Sequence, residues 1–342
     1  MKKSGFVLLV VCQMLFGHRV FGGPPGIDVD YARFKLDDEN IYVEICYSIP
    51  YRDLAFVKSE NGYAAQAVVR FKIFHNDTLW RNEAWRVPVS IENSNDIQTQ
   101  NIVDVLRYPA APGQYRVHAY AADNSRQDEV DSTTVSFDVA ALEDGHIVAS
   151  DIQLASRITR IQKDPSNVFY KNSLEVIPNA SRLYGANTPD LPYYLELYNL
   201  EGLSDGDGYS SFCYISRSPG DSASALVSRH QVKQRRGDTS IEVGSLSVAE
   251  LITGAYFLNF AVRDNADHLQ AFVARKFFVF NPSVAAESGG STGMAMTASL
   301  ETSPFATMGE SELDDEAGYL QYLMTKDVAN QYEHLKTADA KR

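Results

Sequence analysis

Residues 204–208 read SDGDG, with the carboxylates of Asp205 and Asp207 at alternating positions, as in the opening of a calcium loop. A complete loop of that kind adds a third acidic ligand and a distant glutamate, and neither follows here. The stretch reads as a solvated hairpin turn, and calcium at Asp205 and Asp207 is left to a chelator experiment. Gly220-Asp221-Ser222 places a serine beside a turn, without the strand–turn–helix setting that raises a serine nucleophile. The seven histidines form neither a His-Glu-x-x-His motif nor a Cys/His cluster, so zinc chemistry has no ligand set. Ser288-Gly289-Gly290-Ser291 lacks the lysine of a phosphate loop. Arg235-Arg236-Gly237-Asp238 follows Arg229, His230 and Lys233 and reads as a charged hairpin tip. The expectation is no catalytic residue, no cofactor, no metal ligand and a non-enzymatic protein.

Aromatic side chains offer binding chemistry instead. Trp80 and Trp85, with Tyr193, Tyr194 and Tyr198, could stack on sugar rings or anchor a protein partner. The competing reading is that each fills a core, and the usual burial of bulky aromatics favours it.

The elements that would position these residues announce themselves by repetition. Residues 113–124 read GQYRVHAYAADN and residues 254–265 read GAYFLNFAVRDN. Gly113, Tyr115 and Asp123 match Gly254, Tyr256 and Asp264 at a shift of 141. The same shift sets Phe137 on Phe278, which implies strand-connecting loops of equal length. Tyr115, Val117, Ala119 and Ala121 alternate with Arg116, His118 and Tyr120. Tyr256, Leu258, Phe260 and Val262 alternate with Asn259, Ala261 and Arg263. Each is a strand pattern with one buried and one solvated face, which puts His118 on a solvent face. The tyrosine after the glycine is similar to the corner tyrosine of immunoglobulin-like sandwiches, and Asp-Asn is turn chemistry, so the repeat is structural rather than catalytic. Tyr42-Val43-Glu44-Ile45 lines up with Tyr194-Leu195-Glu196-Leu197 at a shift of 152, and Val69, Phe71 and Ile73 alternate with Arg70 and Lys72.

The expected fold is all-β: two tandem immunoglobulin-like or fibronectin-like β-sandwiches at 27–140 and 146–282. Residues 283–310, rich in Ser, Gly, Ala and Thr, read as a flexible linker. Ser311 and Asp314 mark a helix start, and Leu313, Ala317, Leu320, Met324 and Val328 follow at helical spacing. That stripe, in residues 311–342, needs a surface to pack on, so the expectation is the start of a C-terminal domain cut short at Arg342, or a segment that docks on a partner.

Bulk properties bound the rest. A chain of 342 residues with 44% hydrophobic residues can build two cores. Net charge is −13, which disfavours nucleic acid and an anionic membrane face as partners. Lys2 and Lys3, the apolar run Phe6–Phe16 and Val20-Phe21-Gly22 have the layout of a signal peptide over 1–22, shorter than a membrane span. Val11 before Cys12 is too large for lipidation. Export leaves Cys46 and Cys213; a disulfide between them and two buried thiols are both compatible, with burial favouring thiols.

Residues 149–185 contain Ser150-Asp151-Ile152-Gln153-Leu154-Ala155-Ser156, Val176-Ile177-Pro178-Asn179 and Ser181-Arg182-Leu183-Tyr184-Gly185. Upstream stand Val43-Glu44-Ile45, Ile49-Pro50-Tyr51, Leu54-Ala55-Phe56-Val57 and Gly62-Tyr63; downstream stand Tyr322-Leu323-Met324-Thr325 and Leu335-Lys336. In this order they resemble the bacterial GWxTD domain-containing proteins. The Gly-Trp-x-Thr-Asp signature itself is absent, since neither Trp80 nor Trp85 follows Gly. The resemblance implies an exported protein, periplasmic, outer-envelope associated or secreted, and no particular chemistry. Taken together, the expectation is an interaction scaffold that binds an envelope or secreted protein through its sandwiches. A carbohydrate-binding module, or the accessory part of an enzyme whose active site lies beyond Arg342, are the alternatives.

Overall fold

A computed structural model describes residues 24–37, 40–140, 146–203 and 206–284. The expected leader, Asp205, the linker from residue 285 and the helical segment 311–342 lie outside the described residues. What is described is nearly all strand. The first eight are β1 (Asp28–Lys35), β2 (Ile41–Pro50), β3 (Val57–Ser59), β4 (Gly62–His75), β5 (Thr78–Ile91), β6 (Asn101–Ala110), β7 (Gly113–Asp123) and β8 (Arg126–Val139). Then come β9 (Val148–Ala149), β10 (Gln153–Arg160), β11 (Tyr170–Lys171), β12 (Leu174–Pro178), β13 (Leu183–Gly185) and β14 (Asp190–Tyr198). The last five are β15 (Gly208–Ser216), β16 (Val227–Gln234), β17 (Ser240–Ser247), β18 (Gly254–Asp264) and β19 (Leu269–Phe280). They fall into two compact units, one of residues up to Ala180 with Tyr194–Gly202 and Arg236–Glu242, the other of Ser181–Tyr193, Leu203–Arg235 and residues from Val243 onward.

In the first unit the sheet β1-β2-β6 faces the sheet β5-β4-β7-β8, with β3 extending the latter beside β4. This is the three-on-four layering of a fibronectin-like sandwich. Between them lie Val43, Ile45, Tyr47 and Ile49 of β2 and Val69, Phe71 and Ile73 of β4, all buried. The alternation of β4 follows from the pleat: a side chain every second residue enters the core and Arg70 and Lys72 emerge opposite. Asn76 and Asp77, both with positive φ (46° and 63°), join β4 to β5 by a two-residue turn whose twist suits a hairpin.

β2 is buried on both faces. Glu44 and Cys46 point away from the sandwich core, yet are 1% and 4% exposed. They are covered in the same unit by Gln153 of β10, Lys171 of β11 and Ala180, which follows β12. Cys46 and Val105 pack with Ala180 and Phe169. A second left-handed pair, Asn172 and Ser173 (φ 49° and 63°), turns β11 into β12 and carries Lys171 inward.

The second unit holds the sheet β13-β19-β18-β15-β16, antiparallel except for β13 alongside β19. Tyr256, Leu258, Phe260 and Val262 of β18 are at most 1% exposed. Asn281 donates from Nδ2 to the carbonyls of Val248 (2.8 Å) and Leu251 (2.7 Å), pinning the end of β19 to that turn.

The repeat seen in the sequence is a repeat of topology: β16-β15-β18-β19 has the order of β5-β4-β7-β8, and β10-β14-β17 that of β1-β2-β6. β7 and β18 each run eleven residues from the glycine to the aspartate. Tyr115 Oη donates to the Ala111 carbonyl at 3.0 Å, and Tyr256 Oη to the Ile252 carbonyl at 2.8 Å, four residues back in each. Two details depart from expectation. Tyr115 pairs with Phe137, but Tyr256 pairs with Phe277 rather than Phe278. The second hairpin is one residue shorter, because the bulges near the two turns displace different numbers of residues on the returning strand. The outer face of β18 is also covered rather than solvated: Asn259 is 0% exposed, its Oδ1 accepting from Gly220 N at 2.8 Å as the Pro219-Gly220 turn folds over it. Gly113 meets a steric need, since at φ 144° a Cβ would lie 2.4 Å from His75 Nε2. A Cβ on Gly254 would stand 3.6 Å from the nearest atom.

Candidate functional site

The residues singled out by the sequence are spent on structure. Trp85 stacks on Phe71 (centroids 5.6 Å apart, 12° between planes) and donates Nε1–H to Tyr47 Oη at 3.3 Å. Trp80 packs edge-on against Tyr108 and Tyr115. Tyr193, Tyr194 and Tyr198 are 2%, 0% and 5% exposed, so none of the three offers a ring to a ligand. Asp123 accepts from Ala55 N and Ser125 N, each at 2.7 Å, closing its own turn. Asp264 does likewise with Ala266 N (2.9 Å) and His268 N (2.8 Å). Burial works to raise the Asp264 pKa, and these donors with His268 outweigh it, leaving the carboxyl below its ordinary value. Asp207 pairs with Arg235 at 2.6 Å, and no group of three or more metal-binding side chains forms among the described residues. Cys46 and Cys213 are buried thiols, not joined in a disulfide.

The densest polar constellation was not foreseen. Glu44, at the centre of β2, accepts from Arg107 Nε at Oε1 (2.8 Å) and from Lys171 Nζ and Gln153 Nε2 at Oε2 (2.7 and 2.8 Å). Lys171 Nζ also donates to Gln153 Oε1 at 2.8 Å and lies 4.0 Å from the Phe34 ring centroid and 4.7 Å from that of Tyr194. The ammonium thus meets a carboxylate, an amide oxygen and two aromatic rings. Burial pushes the Glu44 pKa up, and the charges and hydrogen bonds of Lys171 and Arg107 more than reverse this, holding the carboxyl below its ordinary value. Glu196, the repeat partner of Glu44, accepts from Tyr194 Oη and Asn172 Nδ2 (3.1 Å) at one oxygen and from Tyr198 Oη (2.8 Å) at the other. Desolvation first, and then the Glu196 charge, raise the pKa values of both phenols well above the ordinary tyrosine value. Tyr198 Oη in turn accepts from Lys35 N at 3.1 Å. At the rim, Arg33 grips Asp151 with two 2.7 Å bonds, from Nε and Nη2. The Glu44–Lys171 pair is buried deeply enough to be costly unless hydrogen-bonded, and both Glu44 oxygens have donors. The cluster is a joint between strands. One sequence signal pointed to it: a single glutamate inside each of two largely apolar strands, IYVEICYSIP and DLPYYLELY.

A different surface is open. On the outer face of β5-β4-β7-β8, Arg70 pairs across the strands with Tyr120 and Ala84, and Lys72 with His118 and Asn82. Arg86 and Arg116 stand on the same face, Arg86 bonded to Asn124 Oδ1 at 3.1 Å. Of the acids near this face, Asp77 and Asp138 lie at the Arg116 end, where Asp77 pairs with Arg116 at 3.0 Å, and exposed Asp128 of β8 stands two residues from Val130 at the cleft end. Arg70 and Lys72 have no carboxylate partner among the described residues. Lys72 Nζ instead sits 5.7 Å from the Tyr120 centroid, and the Arg116 guanidinium 5.3 Å from that of Phe74. Beside Arg70 a cleft of about 390 Å³ is lined by Val68, Ala84, Tyr120, Ala122 and Val130. Partial burial, then the charges of Arg116 and Lys72, lower the His118 pKa below its ordinary value, as a locally positive field requires.

No protein-family model matches the chain, and no curated protein sequence does. Among solved structures, the fibronectin(III)-like modules of Clostridium thermocellum CbhA align over 73% of this chain and 91% of theirs, at 12% identity and a TM-score of 0.19. The β-glucuronidase of Parabacteroides merdae aligns over 70% of this chain at 9% identity and a TM-score of 0.21, and trypsin-activated α-2-macroglobulin from Escherichia coli over 75% at 9% and 0.22. The chain spans only 28% and 17% of those last two. Likeness at such TM-scores carries no argument about this protein, whose all-β architecture rests on its own sheets.

Proposed function

We propose that this chain is a non-enzymatic interaction protein, exported to the bacterial envelope, that binds a protein partner through the outer face of β5-β4-β7-β8. The observation that carries the reading is the pair Arg70 and Lys72, exposed or half-exposed beside a largely apolar cleft and without a carboxylate partner among the described residues, in a chain of net charge −13. A protein with that many acids has ample means to neutralise two surface cations internally, and here it does not. Cations beside apolar surface are the composition of a recognition patch. The leader-like start of the sequence supports export. The test is cross-linking in cells, with a photoreactive amino acid at Lys72 in the full chain and, as control, at exposed Val232 of β16 in the other unit. A discrete adduct from position 72, absent from 232, is the expected result. Equal smears from both positions, or no adduct, would sink the reading.

A further inference from the structure

Resting on that reading, we infer that the outer face of β5-β4-β7-β8 recognises an acidic, extended polypeptide segment of the pattern Leu-x-Glu-x-Glu, with Leu standing for any branched apolar residue and Glu for any carboxylate. Val68, Arg70 and Lys72 are alternate residues of one strand, so they project from one face at intervals of about 6.6–6.8 Å, twice the strand rise. An extended peptide presents its own alternate side chains at the same interval, so two carboxylates and one apolar side chain fall in register with Lys72, Arg70 and the cleft at Val68. The cleft walls supplied by Val68, Ala84, Ala122 and the 48%-exposed Val130 are aliphatic and suit a branched hydrocarbon. Its 390 Å³ is at the small end of ligand pockets, adequate for one anchoring side chain.

The same geometry argues against other anions. A nucleic acid carries a phosphate at every residue and no aliphatic side chain, so it would leave the cleft beside Arg70 unfilled. A glycan needs an open ring face, but Tyr120 lies beneath Lys72, and Phe74 is met by Arg116 and, edge-on at 5.5 Å, by His118. Carboxylates on a polypeptide use what is open: the two cations and the aliphatic cleft.

The experiment is fluorescence anisotropy of the full chain with a labelled dodecapeptide repeating Leu-Ser-Glu-Ser-Glu-Ser. Saturable binding is expected, weakened at least tenfold by 0.3 M NaCl, by Gln for Glu in the peptide, and by Arg70→Glu with Lys72→Glu in the protein. Ser for Leu in the peptide should weaken it severalfold. The milder pair Arg70→Ala with Lys72→Ala, with an unchanged melting midpoint, separates lost contacts from lost folding. Absence of binding, or binding indifferent to both protein variants, overturns the inference. So does tighter binding of a DNA oligonucleotide, a heparin fragment or phosphatidylglycerol vesicles that these variants abolish. Failure here, alongside a discrete cross-link from position 72, would reject the acidic segment while leaving a protein partner in place. Loss of that cross-link would reject the broader reading instead.

Discussion

Replacing Lys171 by methionine should cost about 3 kcal/mol of stability, the lower end of the range for breaking a buried ion pair. Lys171 and Glu44 are 2.7 Å apart, with side chains 8% and 1% exposed, so water cannot replace either partner cheaply. The low end applies because Glu44 keeps Arg107 at 2.8 Å and Gln153 at 2.8 Å, and is not wholly abandoned. Methionine is close in length, and its thioether can keep the contacts with Phe34 and Tyr194 that the ammonium makes at 4.0 and 4.7 Å. The reverse change, Glu44→Gln, should cost more, about 3–5 kcal/mol, since it removes the only carboxylate that both the buried Lys171 ammonium and Arg107 bond and leaves amide oxygens in its place. The only two tryptophans, Trp80 and Trp85, lie on β5 in the same unit, so tryptophan fluorescence follows the melting of that unit. At roughly 2–4 °C per kcal/mol for a unit of this size, Lys171→Met should lower the midpoint by about 6–12 °C. Because the two groups interact directly, the double variant should be less destabilised than the sum of the singles by about 2 kcal/mol or more. A Lys171→Met midpoint within about 2 °C of wild type, below the ~6 °C expected, or strict additivity, would refute the buried, coupled pair.

Other consequences are open to direct measurement. Glu44 titrates below its ordinary value when folded, so its contribution is complete above the unfolded carboxyl pKa of about 4.3 and is lost as pH falls through the folded value. Melting midpoints should therefore drop below about pH 4.5, and Glu44→Gln should flatten that slope; an unchanged slope would contradict the assignment. Tyr115→Phe and Tyr256→Phe each remove one hydroxyl bond to a carbonyl four residues back and should cost about 1 kcal/mol apiece by denaturant unfolding, a neutral result arguing against the corner. Asn259→Ala leaves Gly220 N without its acceptor and should cost about 1–3 kcal/mol, read from the same unfolding curves; a cost below that range would mean the turn does not seal the outer face of β18. NMR titration should place His118 below its ordinary value and move it upward in Lys72→Gln, whereas no movement would remove the positive field inferred for this face.

The sandwich strands were legible in the sequence because their signal is local. Period-two burial at Val69, Phe71 and Ile73, and the Gly-x-Tyr strand written twice, need only the pleat and a corner bond to be interpreted. The register of Phe277 was not, because a bulge shifts pairing by one residue without leaving a mark in composition. The exposure of the aromatics was not legible either. Tyr194 and Tyr198 are good binding residues by type, and only the fold reveals that Glu196 takes both hydroxyls. Lys171 was the hardest to see. It ends a two-residue strand beside a polar turn, 127 residues from Glu44, and side-chain type predicts solvent for such a lysine.

The placement of cations shows how an acidic chain divides its positive charges between two uses. Arg33, Arg107 and Lys171 each face a carboxylate at 2.7–2.8 Å, and their partners Asp151, Glu44 and again Glu44 are largely or fully buried. These are structural charges: removing one strands its partner in a poorly solvated site, so their loss should be read in stability. Arg70 and Lys72 sit in the same unit, on a sheet whose core face is already filled by Val69, Phe71 and Ile73, and their charges satisfy no buried acid. Charge removal there should leave the melting midpoint where it is, since exposed cations contribute little to folding. If the Arg70→Ala, Lys72→Ala chain instead melted several degrees lower, the two cations would belong with the joint and not with a binding face. An unchanged midpoint combined with lost peptide binding is the outcome that separates the two kinds of charge.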